Sequence, residues 1–415
     1  MHIADSEEAQ SYRWKIRTLI SSRLPDDWPG VGGLDAEARR EFVTMWRDFL
    51  HEHGLLAATW PTEFGGADLS LLERVIVNEE LVRAGAVITD VNLDVGMSLL
   101  GQTMMALGTD EQKANFLPRI LSGEDVWCQG FSEPGSGSDL AGLGTRAVLD
   151  GEEWVINGQK IWTSDAHRAD WIFLLCRTDV DAVKHKGISF LLVPMNQPGV
   201  EIRPVANINR SHDFNEVFFS DATTPADHVL GDVNEGWKVT SFLLGLERGD
   251  SATTNAILYR SELDRLVRDA KALGRTTDPL FRQRLATAHT TVEIMRFVGL
   301  RALSDLLAGH DPGAEGSLFK LLWSEHHTSV TELALDIIGA HAMTPSGHQP
   351  ADFFLDLPGA EYSSQSWVST FLAARSDLIR GGTSEVQRNI VAERVLGLPR
   401  EPRADSGPWR DVPRS

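Results

Sequence analysis

The stretch RAVLDGEEWVINGQKIWTS, residues 146–164, carries the strongest local folding signal in the chain. It contains two turn dipeptides, Asp150-Gly151 and Asn157-Gly158, each placed between short runs of strand-type residues. Such dipeptides favour the tight turns that join antiparallel strands, because both residues tolerate a left-handed backbone. The stretch therefore predicts β-hairpins at the centre of the chain.

The flanking sequence predicts that this β-region lies between two helical regions. Strand-type runs continue to about residue 221 as WIFLLCRT, GISFLLVP, VEIRPV and NEVFFSD. Before residue 121 and after residue 237, apolar residues recur at helical spacing, as in FVTMWRDFLHEHGLL and SLFKLLWSEHHTSVTELALDIIG. Thr109 and Gln112 open one of these helical segments as a capping box.

These changes of pattern predict three domains and a tail. We expect a helical domain over residues 1–125, a β-domain over 126–235 and a second helical domain over 236–398. The remainder, PREPRADSGPWRDVPRS, is rich in Pro and Arg. It is expected to be loosely ordered or to pack on a neighbouring molecule.

Charge and composition narrow the class of protein. A formal net charge of −20 at pH 7 argues against general binding to nucleic acid or to an anionic membrane surface. Cys128 and Cys176 are too few for a disulfide framework, and no apolar run is long enough to cross a bilayer. The acidic opening MHIADSEEAQ does not have the pattern of a signal peptide. We therefore expect a cytoplasmic globular protein.

Two polar motifs border the first strands. FSEPGSGSD, residues 131–139, has glycines that let backbone N–H groups approach a ligand and Ser hydroxyls that can hydrogen-bond it. It lacks the third glycine of a Rossmann fingerprint, so on this motif alone a connecting loop is an equally good interpretation. KIWTSDA, residues 160–166, places Trp162 beside two hydroxyl residues. Such a group covers an aromatic ring and bonds its edge, although an isolated Trp is more often part of a core.

With two later stretches, these motifs resemble the acyl-CoA dehydrogenase family over most of the chain. FSEPGSGSD and INGQKIWTSDA are similar to the family's two flavin-site motifs, and NEVFFSDATTPADHVLG with NEGW to its passage into the C-terminal helices. GGTSEVQRNIVAERVLGLP is similar to its C-terminal helix-capping stretch. The resemblance implies a mainly α fold with a central β-domain: an N-terminal helical domain, a β-barrel and a C-terminal four-helix bundle.

The resemblance also implies a function and roles for individual residues. It implies FAD bound between the subunits of a tetramer, α,β-dehydrogenation of an acyl-CoA thioester, and electron transfer to an electron-transfer flavoprotein. Positions that match the family's motifs are assigned to the flavin: Phe131, Ser132, Gly137, Ser138, Trp162, Thr163, Ser164 and Thr383. Three are assigned to the substrate: Ser138, Arg248 and Gly382.

The base that removes the α-proton is missing from its commonest position. Such a reaction needs a carboxylate near the carbon and hydrogen-bond donors on the carbonyl oxygen. In many members a Glu directly precedes the Gly-Thr of the C-terminal break, where this chain has Gly381. The isovaleryl-CoA and long-chain enzymes instead carry a Glu-Arg pair on an earlier helix, and Glu247 with Arg248 matches it. An ordinary solvated helix residue is the alternative for Glu247, and Asp250 is the runner-up base.

Gly381 retains its backbone N–H, which in the family binds the thioester oxygen together with a hydroxyl of FAD. The absent side chain leaves volume beside the acyl group, so we expect a branched, cyclic or otherwise bulky substrate. The nearest similarity is to actinobacterial members that act on steroid side-chain CoA thioesters, some of them heterotetramers. In the same break, Ser384 with Gln387 fits a capping box, with Thr383 able to cap one residue earlier.

Departures from the family leave the assembly and the reaction open. The segment GRTTDPLFRQRLA lacks the usual Arg-x-x-Phe-Gly, and Asp336 stands where the family has a Gln that contacts FAD from a neighbouring subunit. A homotetramer and a heterotetramer are both compatible with this pattern. The alternatives to dehydrogenation are a flavin-dependent oxygenase on the same fold and a half-site subunit of a hetero-oligomer. His326-His327 and His51-Glu52-His53 lack zinc-type spacing, so no metal is expected there and both are interpreted as solvated helix faces.

Overall fold

Helices, strands and helices follow one another in the predicted order. The computed structural model describes residues 6–87, 91–310, 315–348, 350, 356–402 and 407–412, and the side chains at 91, 92, 247–252 and 315 lie outside this description. The chain forms two compact units. The first contains Met1–Pro61, Gly66–Thr89 and Arg248–Pro399, and the second contains Thr62–Gly65, Asp90–Glu247 and Arg400–Ser415.

The described helices before the first strand lie in the region that the sequence predicts to be helical. They are α1 Glu7–Arg23, α2 Ala36–Glu52, α3 Leu71–Arg83, α4 Val91–Asp94, α5 Gln102–Leu107 and α6 Asp110–Ser122. A π-helical segment, Val95–Gly101, joins α4 to α5. The predicted capping box at the start of α6 is confirmed: the Gln112 N–H donates to the Thr109 hydroxyl, and the Thr109 N–H to the Gln112 side chain.

Helices α1 to α3 form a small core in the first unit. Trp46 is fully buried among apolar residues, and its indole N–H donates to the Ala86 carbonyl at 2.7 Å. The buried Glu80 accepts hydrogen bonds from Arg17 on α1 and Arg83 on α3. Helices α1 and α3 are therefore held together by apolar packing and by the buried Glu80 carboxylate, whose charge the two arginines neutralise.

A seven-stranded mixed sheet forms the centre of the second unit. Its strands are β1 Trp127–Gly130, β2 Arg146–Asp150, β3 Glu153–Ser164, β4 Trp171–Arg177, β5 Ile188–Pro194, β6 Val200–Val205 and β7 Phe214–Pro225. They are ordered β1-β4-β2-β3-β7-β6, and β5 pairs with β4. The runs β4 and β5 are buried on both faces, which explains why their sequences are continuously apolar.

One of the two predicted turns is confirmed and the other is wrong. Asp150-Gly151 begins the turn between β2 and β3, which pair antiparallel from Asp150 opposite Glu153. Asn157-Gly158 lies inside β3, which continues through it. The Asn157 side chain exchanges two hydrogen bonds with Asp221, a left-handed residue at a bulge in β7. Long-range pairing with β7 thus overrides the local turn preference of the dipeptide.

The C-terminal helices confirm the second helical domain. They are α7 Gly236–Ala272, α8 Pro279–Leu307, α9 Glu315–Ile338, α10 Ser364–Asp377 and α11 Ser384–Ile390. In the first unit, Leu266 on α7, Met295 on α8 and Ala334 on α9 share one fully buried apolar core with Trp367 of α10. The Trp367 indole N–H donates to Asp269 at 2.7 Å. The boundaries predicted at residues 125, 235 and 398 stay a prediction.

Part of the tail is ordered against its own chain. Residues 407–412 lie on the second unit, where Trp409 is buried and Pro408 bridges to Val183. For these residues, the expectation of loose order or packing on a neighbouring molecule is wrong. A large apolar side chain in the tail finds a matching surface on the β-domain, and this burial stabilises the docked segment.

Candidate active site

The first motif is tied to the second through the backbone. β1 leads into the loop at Phe131, and the Ser132 carbonyl accepts a hydrogen bond from the Ile161 N–H of β3 at 2.9 Å. Two further backbone bonds, both 3.0 Å, join Glu133 and Ser136 across a tight turn. The structure therefore brings Ser132 next to the strand segment that carries Trp162.

A buried ion pair fixes this junction. The Lys160 ammonium on β3 is fully buried and lies 2.8 Å from Glu133 Oε1, and it also donates to the Phe131 carbonyl at 3.1 Å. The Glu133 carboxylate accepts the N–H groups of Gly144 at 2.6 Å and Thr145 at 2.8 Å. Burial alone would raise the pKa of Glu133, but Lys160 and these N–H groups outweigh it and lower the pKa.

The sequence contains a signal for Lys160 that our interpretation missed. Along β3, Trp154, Ile156 and Lys160 occupy even positions, and all three side chains are buried. Strand alternation therefore places the lysine on the core face, where a charge requires a partner. The nearby Glu133 of the first motif supplies it.

Trp162 has a backbone conformation that is unusual for a large side chain. Its φ is +62°, its side chain is 56% exposed, and its ring meets Phe214 edge-on at 6.0 Å. The register of β3 against β7 shifts between Lys160 and Thr163, so Trp162 lies at a bulge. Bulges of this kind redirect side chains, and strained residues concentrate at functional sites. The exposed indole is free to cover a planar ligand.

The two residues after Trp162 have different environments. Thr163 is buried, and its hydroxyl has no hydrogen-bond partner within the described part of the chain. Its carbonyl accepts the side-chain N–H of the buried Asn215, whose own amide oxygen likewise lacks a described partner. Ser164 is half-buried at the end of β3. Unsatisfied buried polar atoms are rare in native proteins, so this end of β3 is a candidate for a polar ligand contact.

The other first-motif residues divide between core and surface. Phe131 packs edge-on against Phe173 at 5.8 Å, so its side chain belongs to the sheet core. Gly137 and Ser138 are exposed, and a Cβ added at Gly137 would meet nothing within 4 Å. The backbone at Gly137 is therefore open to a ligand.

The C-terminal break is a tight left-handed turn in the first unit. Gly381 and Gly382 have φ of +65° and +91°, a region that favours glycine. The Gln387 side chain donates to the Gly381 carbonyl at 2.7 Å, and Thr383 caps α11 by accepting the Val386 N–H at 3.2 Å. The capping box of Ser384 with Gln387 is wrong, because Gln387 bonds the turn instead. The alternative cap, Thr383, is confirmed.

The turn exposes a backbone donor. Gly381 is exposed, and among the residues described its N–H makes no hydrogen bond. The backbone N–H and the missing side chain are the two properties that the sequence assigned to this position. The proposed base Glu247, its neighbour Arg248 and the runner-up Asp250 fall within α7, but their side chains lie outside the described residues.

The prediction that His326 and His327 face solvent is wrong. Both are buried in the first unit, with 4% and 1% of their surface exposed. His327 Nδ1 lies 2.5 Å from Asp377 on α10, and its Nε2 lies 3.5 Å from the fully buried Glu262 on α7. Burial by itself lowers the pKa of His327, but the two carboxylates outweigh it and raise the pKa to about 10. His327 is therefore a buried imidazolium.

The same carboxylate connects to the glycine turn. Asp377 accepts a hydrogen bond from Arg380 Nε at 2.9 Å, and its carbonyl accepts the Lys320 ammonium at 2.7 Å. Burial lowers the pKa of Lys320 to about 8. His326 and His327 have no metal-ligand arrangement, and no metal-binding cluster of His, Cys, Asp and Glu occurs among the residues that the structure describes.

Comparison with known proteins identifies the family and the fold. Models described as the N-terminal, middle and C-terminal domains of acyl-CoA dehydrogenase match residues 6–124, 128–222 and 234–396. The chain belongs to the acyl-CoA dehydrogenase family. It is an oxidoreductase that acts on acyl-CoA, with the family's N-terminal helical, middle β and C-terminal helical domains. The described part of the chain has no helix that is long and apolar enough to span a membrane.

Relatives of this acyl-CoA dehydrogenase include mycobacterial proteins. Acyl-CoA dehydrogenase IpdE1 of Mycobacterium tuberculosis is 42% identical, over 95% of this chain and 99% of the relative. The solved structure of the Tcur3481-Tcur3483 steroid ACAD has a TM-score of 0.79 and 34% identity, covering 97% of this chain and 100% of that one. The ChsE4-ChsE5 complex from Mycobacterium tuberculosis has a TM-score of 0.75 and 30% identity, with coverages of 97% and 100%.

Members of the acyl-CoA dehydrogenase family are FAD-dependent flavoproteins, so FAD is the cofactor. The residues of the second unit fit such a group: an open backbone at Gly137, an exposed indole at Trp162 and an unsatisfied hydroxyl at Thr163. Ser132 and Ser164 lie in the two segments that the Ser132–Ile161 bond holds together. These are the residues that would hold the flavin.

One departure from the acyl-CoA dehydrogenase pattern has a local explanation. Asp336, at the position where the family has a Gln, pairs with Arg284 at 2.5 Å, so its charge is met within the chain. The guanidinium in this ion pair belongs to Arg284, which lies in the segment that lacks the family's Arg-x-x-Phe-Gly. Both side chains are exposed, so the pair is screened and weak.

Proposed function

We propose that the chain oxidises the α,β bond of a bulky acyl-CoA of the steroid side-chain class, with Glu247 as the base. The Glu247 carboxylate takes the α-proton, and the Gly381 N–H donates to the thioester oxygen as enolate charge develops. Bound FAD supplies the acceptor for the hydride that leaves the β-carbon.

The observation that carries this proposal is the state of position 381. It bears no side chain, it is exposed, and its N–H is open. A residue without a side chain cannot be the base, so the carboxylate has to come from elsewhere, and Glu247 in the LLGLERGD stretch matches the family's second base position. Arg248 and Gly382 are assigned to substrate contacts on the same reasoning.

The proposed acyl class rests on two lines of support. The missing side chain at Gly381 leaves room that a Glu would fill. A relative with 34% identity is described as a steroid ACAD, and a pocket widened near the reacting carbon accommodates a branched or cyclic group. An electron-transfer flavoprotein is proposed as the acceptor, as in the family.

We further propose that the chain assembles with a related but different subunit. Two relatives are described as pairs of chains, ChsE4-ChsE5 and Tcur3481-Tcur3483. Asp336 and Arg284 pair with each other in the region where a homotetramer would offer groups to FAD pyrophosphate and adenine. An acidic residue beside a pyrophosphate is unfavourable, so a different partner would supply those contacts.

The experiment for the base is anaerobic mixing of the flavin-loaded enzyme with steroid side-chain, branched and straight medium-chain acyl-CoA. Loss of the oxidised-flavin absorbance reports dehydrogenation. We expect the fastest bleaching with the bulky thioesters, and a loss of at least about a thousandfold in Glu247→Gln, as for removal of an essential base. Asp250→Asn should keep the wild-type rate.

The control separates chemistry from binding. Glu247→Gln should still bind acyl-CoA, because the substitution keeps the size of the side chain. A Glu247→Gln variant that bleaches normally would refute Glu247 as the base. A wild-type flavin that none of the thioesters bleaches without oxygen would favour the oxygenase. Best turnover on straight chains would refute the acyl class, and full FAD occupancy in the chain expressed alone would refute the need for a different subunit.

A further inference from the structure

The C-terminal segment 407–412 is bound to the β-domain by several independent contacts. The Trp409 N–H donates to the Ala182 carbonyl at 2.8 Å, and the Arg410 N–H to the Val180 carbonyl at 3.1 Å. Arg410 also pairs with Asp181. The Trp409 side chain is only 6% exposed, so this is a packed contact.

Trp409 contacts the loop that follows the first flavin motif. Its indole N–H donates to the Gly142 carbonyl at 3.2 Å. Its ring lies over the Arg177 guanidinium, 4.9 Å from the ring centroid, and Arg177 donates to the Ala141 carbonyl at 2.7 Å. Two consecutive carbonyls of the loop are therefore held, one by Trp409 directly and one through Arg177.

The loop residues that Trp409 and Arg177 hold are close in sequence to Gly137 and Ser138, the exposed part of the first motif. Ala141 and Gly142 belong to a single 3-10 turn, Leu140–Gly142, that begins two residues after Ser138. On the other side, Lys184 donates to the Asp139 carboxylate at 2.7 Å, and the Lys184 carbonyl accepts a hydrogen bond from Arg177. The loop is thus fixed at 139, 141 and 142, while Gly137 and Ser138 stay exposed.

We propose that Trp409 is a positioning residue that fixes the Gly137–Ser138 segment for the flavin and the acyl-CoA. The role assigned to that segment rests on the proposed function, whereas the bracing contacts are independent of it. An exposed glycine-rich loop loses conformational freedom when it binds a ligand, and a brace reduces that loss beforehand. The tail is far from the motif in sequence, so it acts through the loop rather than on the substrate.

The test compares full-length, flavin-loaded Trp409→Ala, Trp409→Phe and Arg410→Ala by amide hydrogen exchange and by FAD dissociation. Trp409→Ala removes the indole bond and the cation–π contact, so exchange over 137–144 and the FAD dissociation constant should both rise about tenfold. Trp409→Phe keeps a ring over Arg177, so the exchange rate and the FAD dissociation constant should rise only about threefold. Arg410→Ala removes an exposed ion pair on the same segment. Both quantities should stay within about twofold of their wild-type values.

The outcomes separate the brace from the proposed function. Unchanged exchange over 137–144 in Trp409→Ala would overturn the brace and leave the proposed function intact. Faster exchange with an unchanged FAD dissociation constant would overturn the role assigned to Gly137 and Ser138, and with it the positioning role of Trp409. Trp409→Phe covers the case in which Trp409→Ala does not fold.

Discussion

The ammonium of Lys160 lies 2.8 Å from the Glu133 carboxylate, with no part of Lys160 exposed. The pair joins β3, which carries Trp162, to the loop that carries Ser132. Because Glu133 also accepts two backbone N–H groups, a single carboxylate joins the two ends of the loop from Glu133 to Thr145. The two sequence motifs are therefore one structural element.

Glu133→Gln should destabilise the protein strongly. The amide would leave the Lys160 ammonium buried without a counter-charge, and breaking a buried pair in this way costs about 3–5 kcal/mol. Urea unfolding followed by circular dichroism measures the loss. Glu201→Gln removes a carboxylate from the exposed pair with Arg203 and should leave the unfolding midpoint unchanged. Equal midpoints for the two variants would contradict the importance of the buried pair.

The buried imidazolium of His327 predicts a pH dependence of stability. Its pKa is raised to about 10 in the folded protein, above the unfolded value of about 6.5. Its contribution is complete below pH 6.5 and is lost as the pH rises through 10, with a slope of about 1.4 kcal/mol per pH unit. Lys320, with its pKa lowered to about 8, releases its proton on folding above pH 8 and offsets the slope there.

The neighbouring histidine is a matched control for this prediction. Burial lowers the pKa of His326 to about 4, so it is neutral in both states above pH 7. Unfolding free energies measured between pH 7 and 8 should decline in the wild type and in His326→Asn, but not in His327→Asn. If the free energy of unfolding still declines with pH in His327→Asn, a group other than His327 is responsible for the pH dependence.

Two glycines from the predicted turns should respond differently to alanine. At Gly158, φ is +151° and an added Cβ would lie 2.6 Å from the Thr145 Cα, so backbone has to move. At Gly151, φ is +63° and an added Cβ would meet nothing within 4 Å. We expect a loss of about 3 kcal/mol for Gly158→Ala, from strain and overpacking, and about 1 kcal/mol for Gly151→Ala. Thermal unfolding of both variants tests the difference, and similar losses would contradict it.

Both cysteines should be inert in the native enzyme. Burial raises the pKa of Cys176 to about 12, and the pKa of Cys128 is raised still further for the same reason. The thiolate is the reactive form, so a disulfide reagent at pH 8 should detect no thiol in the folded protein and two after unfolding in urea. Rapid modification of the native enzyme would refute the burial of at least one of them.

Local sequence signals predicted the fold where neighbouring residues decide the structure. Helical periodicity placed α2, α7 and α9, and Asp150-Gly151 marked a turn, because each depends on residues within a few positions. The motifs that resemble the family gave a set of candidate residues, and Ser132 and Trp162 lie in segments joined by one backbone hydrogen bond.

The same reasoning failed where the partner is distant in sequence. Asn157 is held by Asp221, 64 residues away, so its turn propensity does not decide its conformation. His327 is buried because Asp377, 50 residues further on, neutralises it, whereas periodicity alone cannot distinguish a solvated from a paired His. Likewise, no local sequence pattern predicts that Trp409 packs next to Gly142, because the two residues are 267 positions apart.

The left-handed backbone of Gly381 bears on how this enzyme could evolve. At a φ of +65°, any residue with a side chain costs about 1–2 kcal/mol more than glycine. A mutation that introduced a glutamate here would thus weaken the turn before it offered any catalytic benefit. The backbone at position 381 therefore disfavours a glutamate, and the proposed base at Glu247 removes the need for one there.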